Sequence, residues 1–375
     1  MLCMILVSCT GQKTGKENDN NDKIAIEVGG IKFSPQDVLQ LKSYYLSSSV
    51  HVDSIDYLIG YNYRLHSLDC MNLKSKSVTQ IVLPGDGPDA IVLPICLSGI
   101  YAQSLDSVWI SDESERAFLI DSVGTIKRMI DLKKYLEDQE QLLINTNYAM
   151  FTSHLFYNAS RHSLMFLVKH TPSNTFIVKE AFIDEVGKMA TYQLSSSKVV
   201  PDMSKGYAYI NFPNVNFVGE NIVYNYPVES SIYMLDIRTN ERKYILADSH
   251  YTSNIIEKCT TSGDYATLEK HWLENSHFYD IMYLPKYKIY ARLHADKVDF
   301  DEKKGMEKLI NERDLYLMLF DENMEKIGET KLSNCRYSPF TSWNATYGGI
   351  ALFVDNVLDE KNNTDDLTID IISLK

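Results

Sequence analysis

Ala117-Phe118-Leu119-Ile120-Asp121-Ser122-Val123-Gly124 is the phrase on which the reading of this chain turns, and it returns as Phe182-Ile183-Asp184-Glu185-Val186-Gly187. Looser copies stand at Leu68-Asp69-Cys70-Met71-Asn72, Met234-Leu235-Asp236-Ile237-Arg238-Thr239-Asn240 and Leu319-Phe320-Asp321-Glu322-Asn323. Each copy is an apolar strand run into a turn. Asp supplies a side-chain bond to the backbone there, and Gly or Asn accepts a positive φ. A hairpin repeated every 50–60 residues or so is the sequence form of a β-propeller, one copy per blade.

Three strands can be read for most blades. Blade one takes Tyr57–Gly60, Leu65–Asp69 and Ser77–Leu83; blade two takes Ser107–Ile110, Ala117–Asp121 and Ile126–Leu132. Aligned without gaps, these two place Arg64 on Arg116 and Asp69 on Asp121, equivalent turn positions. Blade three runs from Leu164 to Leu194, blade four from Asn221 to Leu246, blade five from Lys288 to Leu332, and blade six from Gly349 to Ile372. The expected fold is all-β, a six-bladed propeller of four-stranded antiparallel blades. Blade six ends without an outer strand, and an unpaired edge is a liability. The lone run Ile24-Ala25-Ile26-Glu27-Val28 is expected to fill that place and join the ring's ends. One propeller domain should therefore cover residues 23–375, because each blade packs only on its neighbours.

The rhythm breaks between Asp236 and Asp321, which stand 85 residues apart against 52 for Asp69 and Asp121. The extra length near Thr267–Asn275 and Asp301–Ile310 suits short helices or rim loops, and Leu132–Leu143 is a third helical candidate. Loops on a rigid scaffold often carry function.

The first 22 residues read differently. Met4-Ile5-Leu6-Val7-Ser8-Cys9 ends an apolar run in a small residue and Cys, like a bacterial lipobox, with Cys9 as the expected lipid attachment. Thr10–Asp22 is polar throughout and suits a flexible tether. The run before Cys9 is shorter than a signal peptide and has no basic residue, which fits a start upstream of Met1. No apolar run reaches the roughly eighteen residues that span a bilayer, so the body is expected to be soluble and lipid-anchored in a bacterial cell envelope, at the outer membrane, facing either the periplasm or the surface. The net charge of −13 opposes a nucleic-acid surface.

With Gly85-Asp86-Gly87-Pro88 after the first blade and Ser107-Val108-Trp109-Ile110-Ser111-Asp112 opening the second, the chain resembles the TolB-like six-bladed propeller lipoproteins of Bacteroidetes. Within them it is similar to a large family of unknown function through Tyr279-Asp280 and the stretch running on to Tyr290-Ala291-Arg292, where Ala291 replaces that family's usual second Tyr. The resemblance implies an envelope lipoprotein and assigns no activity, because fold likeness does not carry function.

The chemistry-bearing motifs are few. Gly85–Pro88 lacks the Lys-Ser/Thr of a phosphate loop and reads as a tight turn between blades. Cys70, Cys96, Cys259 and Cys335 lie far apart without metal-ligand spacing, and read as free. The acidic stretches Asp296–Glu302 and Asp355–Asp366 invite calcium, yet neither fits an EF-hand, so no cofactor is expected. His154, His162 and His170 would form a metal site only if loops converged. His271, Trp272 and His277 lie in an insertion, as a contact patch or as packing. Neither G-x-S-x-G nor H-E-x-x-H occurs. Arg64, Arg116, His271, Trp272 and Arg292 remain as ligand-binding candidates. The expected function is non-catalytic binding or assembly across one propeller face, with a protein, peptide or glycan partner. The alternative is a metal-dependent lactonase or lyase with its site in the central channel.

Overall fold

The computed structural model describes residues 25–375 apart from 35–40, 88–89, 92–96, 145–150, 201–206, 208–209, 260–263, 340–342 and 363–364. Strand β1 (Ile26–Phe33) comes first, and the blades then follow in chain order. Blade one holds β2 (Ser47–Val52), β3 (Ile55–Asn62), β4 (Ser67–Asn72) and β5 (Val78–Val82). Blade two holds β6 (Leu97–Ser104), β7 (Ser107–Asp112), β8 (Arg116–Ile120) and β9 (Ile126–Asp131). Blade three holds β10 (Glu140–Leu143), β11 (Phe156–Asn158), β12 (Ser163–His170), β13 (Thr175–Phe182) and β14 (Met189–Gln193). Blade four holds β15 (Asn214–Val218), β16 (Asn221–Asn225), β17 (Ile232–Asp236) and β18 (Arg242–Ile245). Helix α1 (Tyr265–Leu273) leads to blade five, with β19 (His277–Leu284), β20 (Ile289–Ala295), helix α2 (Met306–Asn311), β21 (Leu315–Phe320) and β22 (Lys326–Lys331). Blade six holds β23 (Trp343–Ala345), β24 (Ile350–Phe353) and β25 (Leu367–Leu374).

The result is the six-bladed all-β propeller expected, with every blade an antiparallel meander. The first strand of each blade lies nearest the axis, so β2 packs beside β6 and β23, and β19 beside β15 and β23. Blade three splits this inner position. Both β10 and β11 pair with β12, β10 along Leu167–His170 and β11 along Ser163–Met165. Middle strands lie between neighbouring blades and are buried on both faces, which is why β21 reads as an unbroken apolar run. Outer strands such as β14 alternate between exposed and half-buried.

The turns explain the repeated phrase. Asp121 Oδ1 accepts from the backbone N–H of Val123 (3.1 Å) and Thr125 (2.7 Å). Asp236 and Asp321 cap their turns in the same way. Gly124 has φ +87°, and a Cβ there would meet Val82 O of blade one at 2.2 Å, so this glycine serves both the turn and the blade contact.

The copy at Leu68–Asn72 corrects the sequence reading. Asp69 is not in a turn; it lies inside β4, fully buried, accepting from Tyr44 Oη (2.6 Å), Asn62 Nδ2 (2.9 Å) and Gln80 Nε2 (2.8 Å). Asn72 fills the turn, its Oδ1 accepting from Lys74 N–H and Ser75 N–H. Arg64 and Arg116 are likewise not equivalent, since Arg64 lies in the turn before β4 and Arg116 is the first residue of β8. The preceding turn is one residue longer in blade one, so no gap-free alignment matches both hairpins. Leu132–Leu143 is also not one helix: a single 3₁₀ turn over Leu132–Tyr135 gives way to β10. The other two helical candidates are α1 and α2.

The ring closes as the unpaired edge required. β1 pairs antiparallel with β25 from Ile26↔Leu374 to Phe33↔Leu367 and becomes the outer strand of blade six. Phe33 is buried with Leu41, Tyr44, Leu58 and Phe353, across the seam between blades one and six. Deleting residues 1–33 is expected to lower the melting midpoint of the whole propeller by roughly 10 °C or more, while deleting 1–24 leaves it within about 2 °C. Circular dichroism melts of both variants check this, and equal melts would remove β1 as the closure.

Candidate functional site

The central channel is where side chains from all six blades meet. A cavity of about 340 Å³ occupies it, lined from β2, β6, β15, β19 and β23 and from His154–Phe156 at the start of β11. It extends to Gly219 and Pro285, which follow β15 and β19, so it reaches the face carrying the turns between first and second strands.

Its polar centre is Asp280, which owes its position to an irregularity in β19. The ladder between β19 and β20 pairs Phe278 with His294 and then Ile281 with Arg292, so Tyr279 and Asp280 together oppose one residue. Such a bulge re-aims a side chain. Asparagines of blade four hold the bulged backbone: Asn214 Nδ2 donates to Phe278 O (2.9 Å), and Asn216 Nδ2 to Ile281 O (2.9 Å). Asn214 also accepts from Thr152 N–H (2.7 Å), tying in the segment that leads to β11.

Asp280 is itself well supplied with donors. Trp343 Nε1 donates to Oδ1 (2.7 Å), His154 Nε2 donates to Oδ2 (2.9 Å), and Asn216 Nδ2 lies 3.5 Å from Oδ2. The Asp280 side chain is 2% exposed and that of His154 19%, so the imidazole, rather than the carboxylate, meets the cavity. Across from this group stand Tyr101, Phe156 and Phe217 on three consecutive inner strands. Tyr101 meets Phe156 edge-on at 5.1 Å, and Phe156 stacks on Phe217 at 5.1 Å. Between the two walls, Asn344 Nδ2 donates to Ser47 Oγ (2.7 Å), Ser48 Oγ accepts from Ala102 N–H (3.0 Å), and Ser49 donates to Ala345 O.

The residues singled out from sequence lie elsewhere and do not come together. Arg64 is exposed, its guanidinium 5.9 Å from the Tyr63 ring centre. Arg116 is bound to Asp112 through Nε (3.0 Å) and Nη2 (2.6 Å). Arg64 lies in the turn between second and third strands and Arg116 opens the third strand after the corresponding turn, both on the face opposite the Gly219 and Pro285 turns. Arg292 is fully buried, donating to Ser230 O (2.6 Å) and Ala247 O (3.0 Å) and packed 4.7 Å from the Phe278 ring centre. It therefore clamps blade four to blade five and presents nothing to a ligand. His271 and Trp272 are buried where α1 packs on the propeller, with His271 Nε2 donating to Glu257 O (2.6 Å) and Arg313 over the Trp272 ring. Cys9 and Cys96 lie outside the described residues, while Cys70 and Cys335 are free thiols.

His154, His162 and His170 do not converge. His162 sits beside Tyr157 and His170 bonds Ser173. Among the described residues no three His, Cys, Asp or Glu side chains stand together as a metal cage would need. In the acidic stretches, Asp301 caps its own turn at Lys303 N–H and Asp359 faces Arg336. Asp280 itself carried a sequence signal: it is a single charge in the apolar run His277–Leu284, and a charge in such a run is buried and partnered.

A six-bladed propeller sealed by its N-terminal strand, with one polar and one aromatic wall in its channel, is the class of protein that fold and cavity define. The chain belongs to the family described as Domain of unknown function (DUF4221), whose profile matches residues 20–331. The crystal structure of a member of that family from Bacteroides vulgatus ATCC 8482 is similar with a TM-score of 0.73 at 13% identity, covering 95% of this chain and 99% of that one. A candidate exported protein of Bacteroides fragilis NCTC 9343 is similar with a TM-score of 0.53, again at 13% identity, covering 95% and 97%. At such identities the likeness shows the fold alone. Compared with curated proteins, the chain has no significant match.

Replacing Asp280 with Leu puts an apolar side chain in its place and leaves the Trp343 indole and His154 without their acceptor. A loss of about 2–4 kcal/mol in urea unfolding is expected, against less than about 0.5 kcal/mol for Arg64→Ala. An Asp280→Leu protein as stable as the parent would show that the carboxylate does not organise the channel.

A second prediction comes from the Arg292 neighbourhood. Glu329 Oε1 accepts from Ser249 Oγ (2.5 Å) and lies 2.9 Å from His294 Nε2, and Oε2 accepts from His250 N–H (2.9 Å). Burial pushes this carboxyl up, but His294, Ser249 and the His250 N–H outweigh it and hold the pKa at about 2, below the ordinary 4.5. A depressed pKa stabilises the fold fully above the ordinary value, and that stability is lost as pH falls towards the depressed one. Glu329→Gln should therefore lack the part of the acid destabilisation that the parent shows between pH 4.5 and about 2. Urea midpoints taken stepwise over that range check this, and parallel curves would reject it.

Proposed function

We propose that this protein is an envelope lipoprotein, anchored through Cys9, that binds a ligand non-covalently in its propeller channel. The cavity carries the reading: every blade contributes to its lining, and a bulge braced by blade four holds its polar centre. Concave sites with largely apolar walls and a few fixed polar groups are the usual form of small-molecule sites. The lipobox-like run ending at Cys9 and the polar stretch after it support the anchor. No helix among the described residues is long and apolar enough to cross a membrane.

A catalytic reading draws on one observation. An imidazole oriented by a buried carboxylate, as His154 is by Asp280, is the arrangement of a general base. Ser48 and Ser49 are engaged with Ala102 N–H and Ala345 O instead of that imidazole, and binding is the better supported reading.

Saturation-transfer NMR on the full chain carrying Cys9→Ser, with monosaccharides, amino acids and nucleosides as probes, tests the site. A probe that binds the parent should lose at least about tenfold affinity in Ser49→Trp, which places an indole in the channel. Binding unchanged by Ser49→Trp would remove the channel as the site. Turnover of a bound probe, lost in His154→Gln, would move the reading to catalysis.

A further inference from the structure

We infer that the channel takes a neutral, polyhydroxylated ligand of saccharide type, one or two sugar rings in size. This rests on the reading of the channel as a ligand site and follows from which charges the cavity has and which it withholds. Among the described residues that line it there is no Lys or Arg, so a phosphate, sulfate or carboxylate group would enter without a cationic partner there. The net charge of −13 opposes such a group further. A cationic ligand fares no better. Among the described lining residues the one acidic side chain is Asp280, which is 2% exposed and already faces Trp343, His154 and Asn216. A buried charge without a partner is costly, so an amino acid or short peptide, charged at both ends, is disfavoured on both counts.

What the lining does offer is neutral. Ser48 accepts from Ala102 N–H and keeps its own hydroxyl hydrogen for a ligand acceptor. Asn344 gives its amide hydrogen to Ser47 and retains its carbonyl oxygen as an acceptor for a ligand hydroxyl. The partly exposed His154 adds a ring nitrogen beyond the one that faces Asp280. Against these stands the continuous aromatic wall of Tyr101, Phe156 and Phe217. A sugar ring has hydroxyls around its edge and an apolar C–H face, and this pairing of neutral polar groups with an aromatic wall complements both. The volume of about 340 Å³ is at the small end of the roughly 300–1,000 Å³ of ligand pockets, which suits one or two rings rather than a long chain.

Isothermal titration of the full chain carrying Cys9→Ser, with glucose, galactose, mannose, N-acetylglucosamine and their β-linked disaccharides, tests the inference. Glycine, a dipeptide, inorganic phosphate and adenosine serve as comparison probes. At least one sugar is expected to bind with a Kd below roughly 10 mM, to weaken about tenfold or more in Phe156→Ala, and to be lost in Ser49→Trp. Val186→Ser, on an exposed outer turn, should leave that affinity unchanged, and circular dichroism melts confirm that each variant is folded. If a comparison probe binds instead and Ser49→Trp abolishes it, the ligand class is overturned while the channel site stands. Sugar binding that survives Ser49→Trp overturns the channel site itself. Failure of every sugar to bind overturns the saccharide assignment.

Discussion

The backbone ladder between β1 and β25 is the constraint on which the ring depends. Blades pack face to face, but packing alone leaves blade six with three strands and a bare edge beside blade one. Pairing Ile26–Phe33 with Leu367–Leu374 covers that edge and carries Phe33 into the seam between the two blades. Closure also fixes how closely the six inner strands approach the axis. The channel's width, and so its cavity, depends on a strand drawn from the far end of the sequence.

Within the closed ring, blade four and blade five divide the work of building the polar centre. Blade five supplies Asp280 through a bulge that gives up regular pairing at Tyr279 and Asp280. Blade four supplies asparagines that satisfy the carbonyls of Phe278 and Ile281. A buried carbonyl without a donor is costly, so the bulge is tolerated because its neighbour supplies what the ladder no longer does. Arg292 does the same for Ser230 and Ala247 in the opposite direction, from blade five to blade four. The two blades complete one another's hydrogen bonding.

Much of the architecture was legible in the sequence, and the reason is the burial of the middle strands. Runs such as Leu315–Phe320, buried on both faces and ended by a capping Asp, announce themselves by composition. The closing strand was legible through the edge it had to cover. The inner strands were not: Ser47–Val52 and Asn214–Val218 are half polar, and Trp343–Ala345 is three residues long. These three face a channel instead of a core, so no long apolar run marks them. The site was hidden for the same reason, because its residues come one or two from each of these strands. Arg292 misled in the other direction, since a charge that looked available for a ligand is fully buried. Asp69 shows a further limit: a carboxylate that caps a turn in blade two has the same local spelling as one that ties Tyr44, Asn62 and Gln80 inside blade one.

The closing ladder also has a mechanical direction. Lys375 N–H bonds Ala25 O at 3.1 Å, so both ends of the paired segment lie side by side. Tension applied between those two ends loads the Ile26–Leu374 pair first and Phe33–Leu367 last, opening the seam as a zipper opens rather than shearing all eight pairs at once. The buried ring of Phe33 is then the final catch. Hauled by its ends, the propeller would open into a row of blades before the hairpins inside any blade gave way.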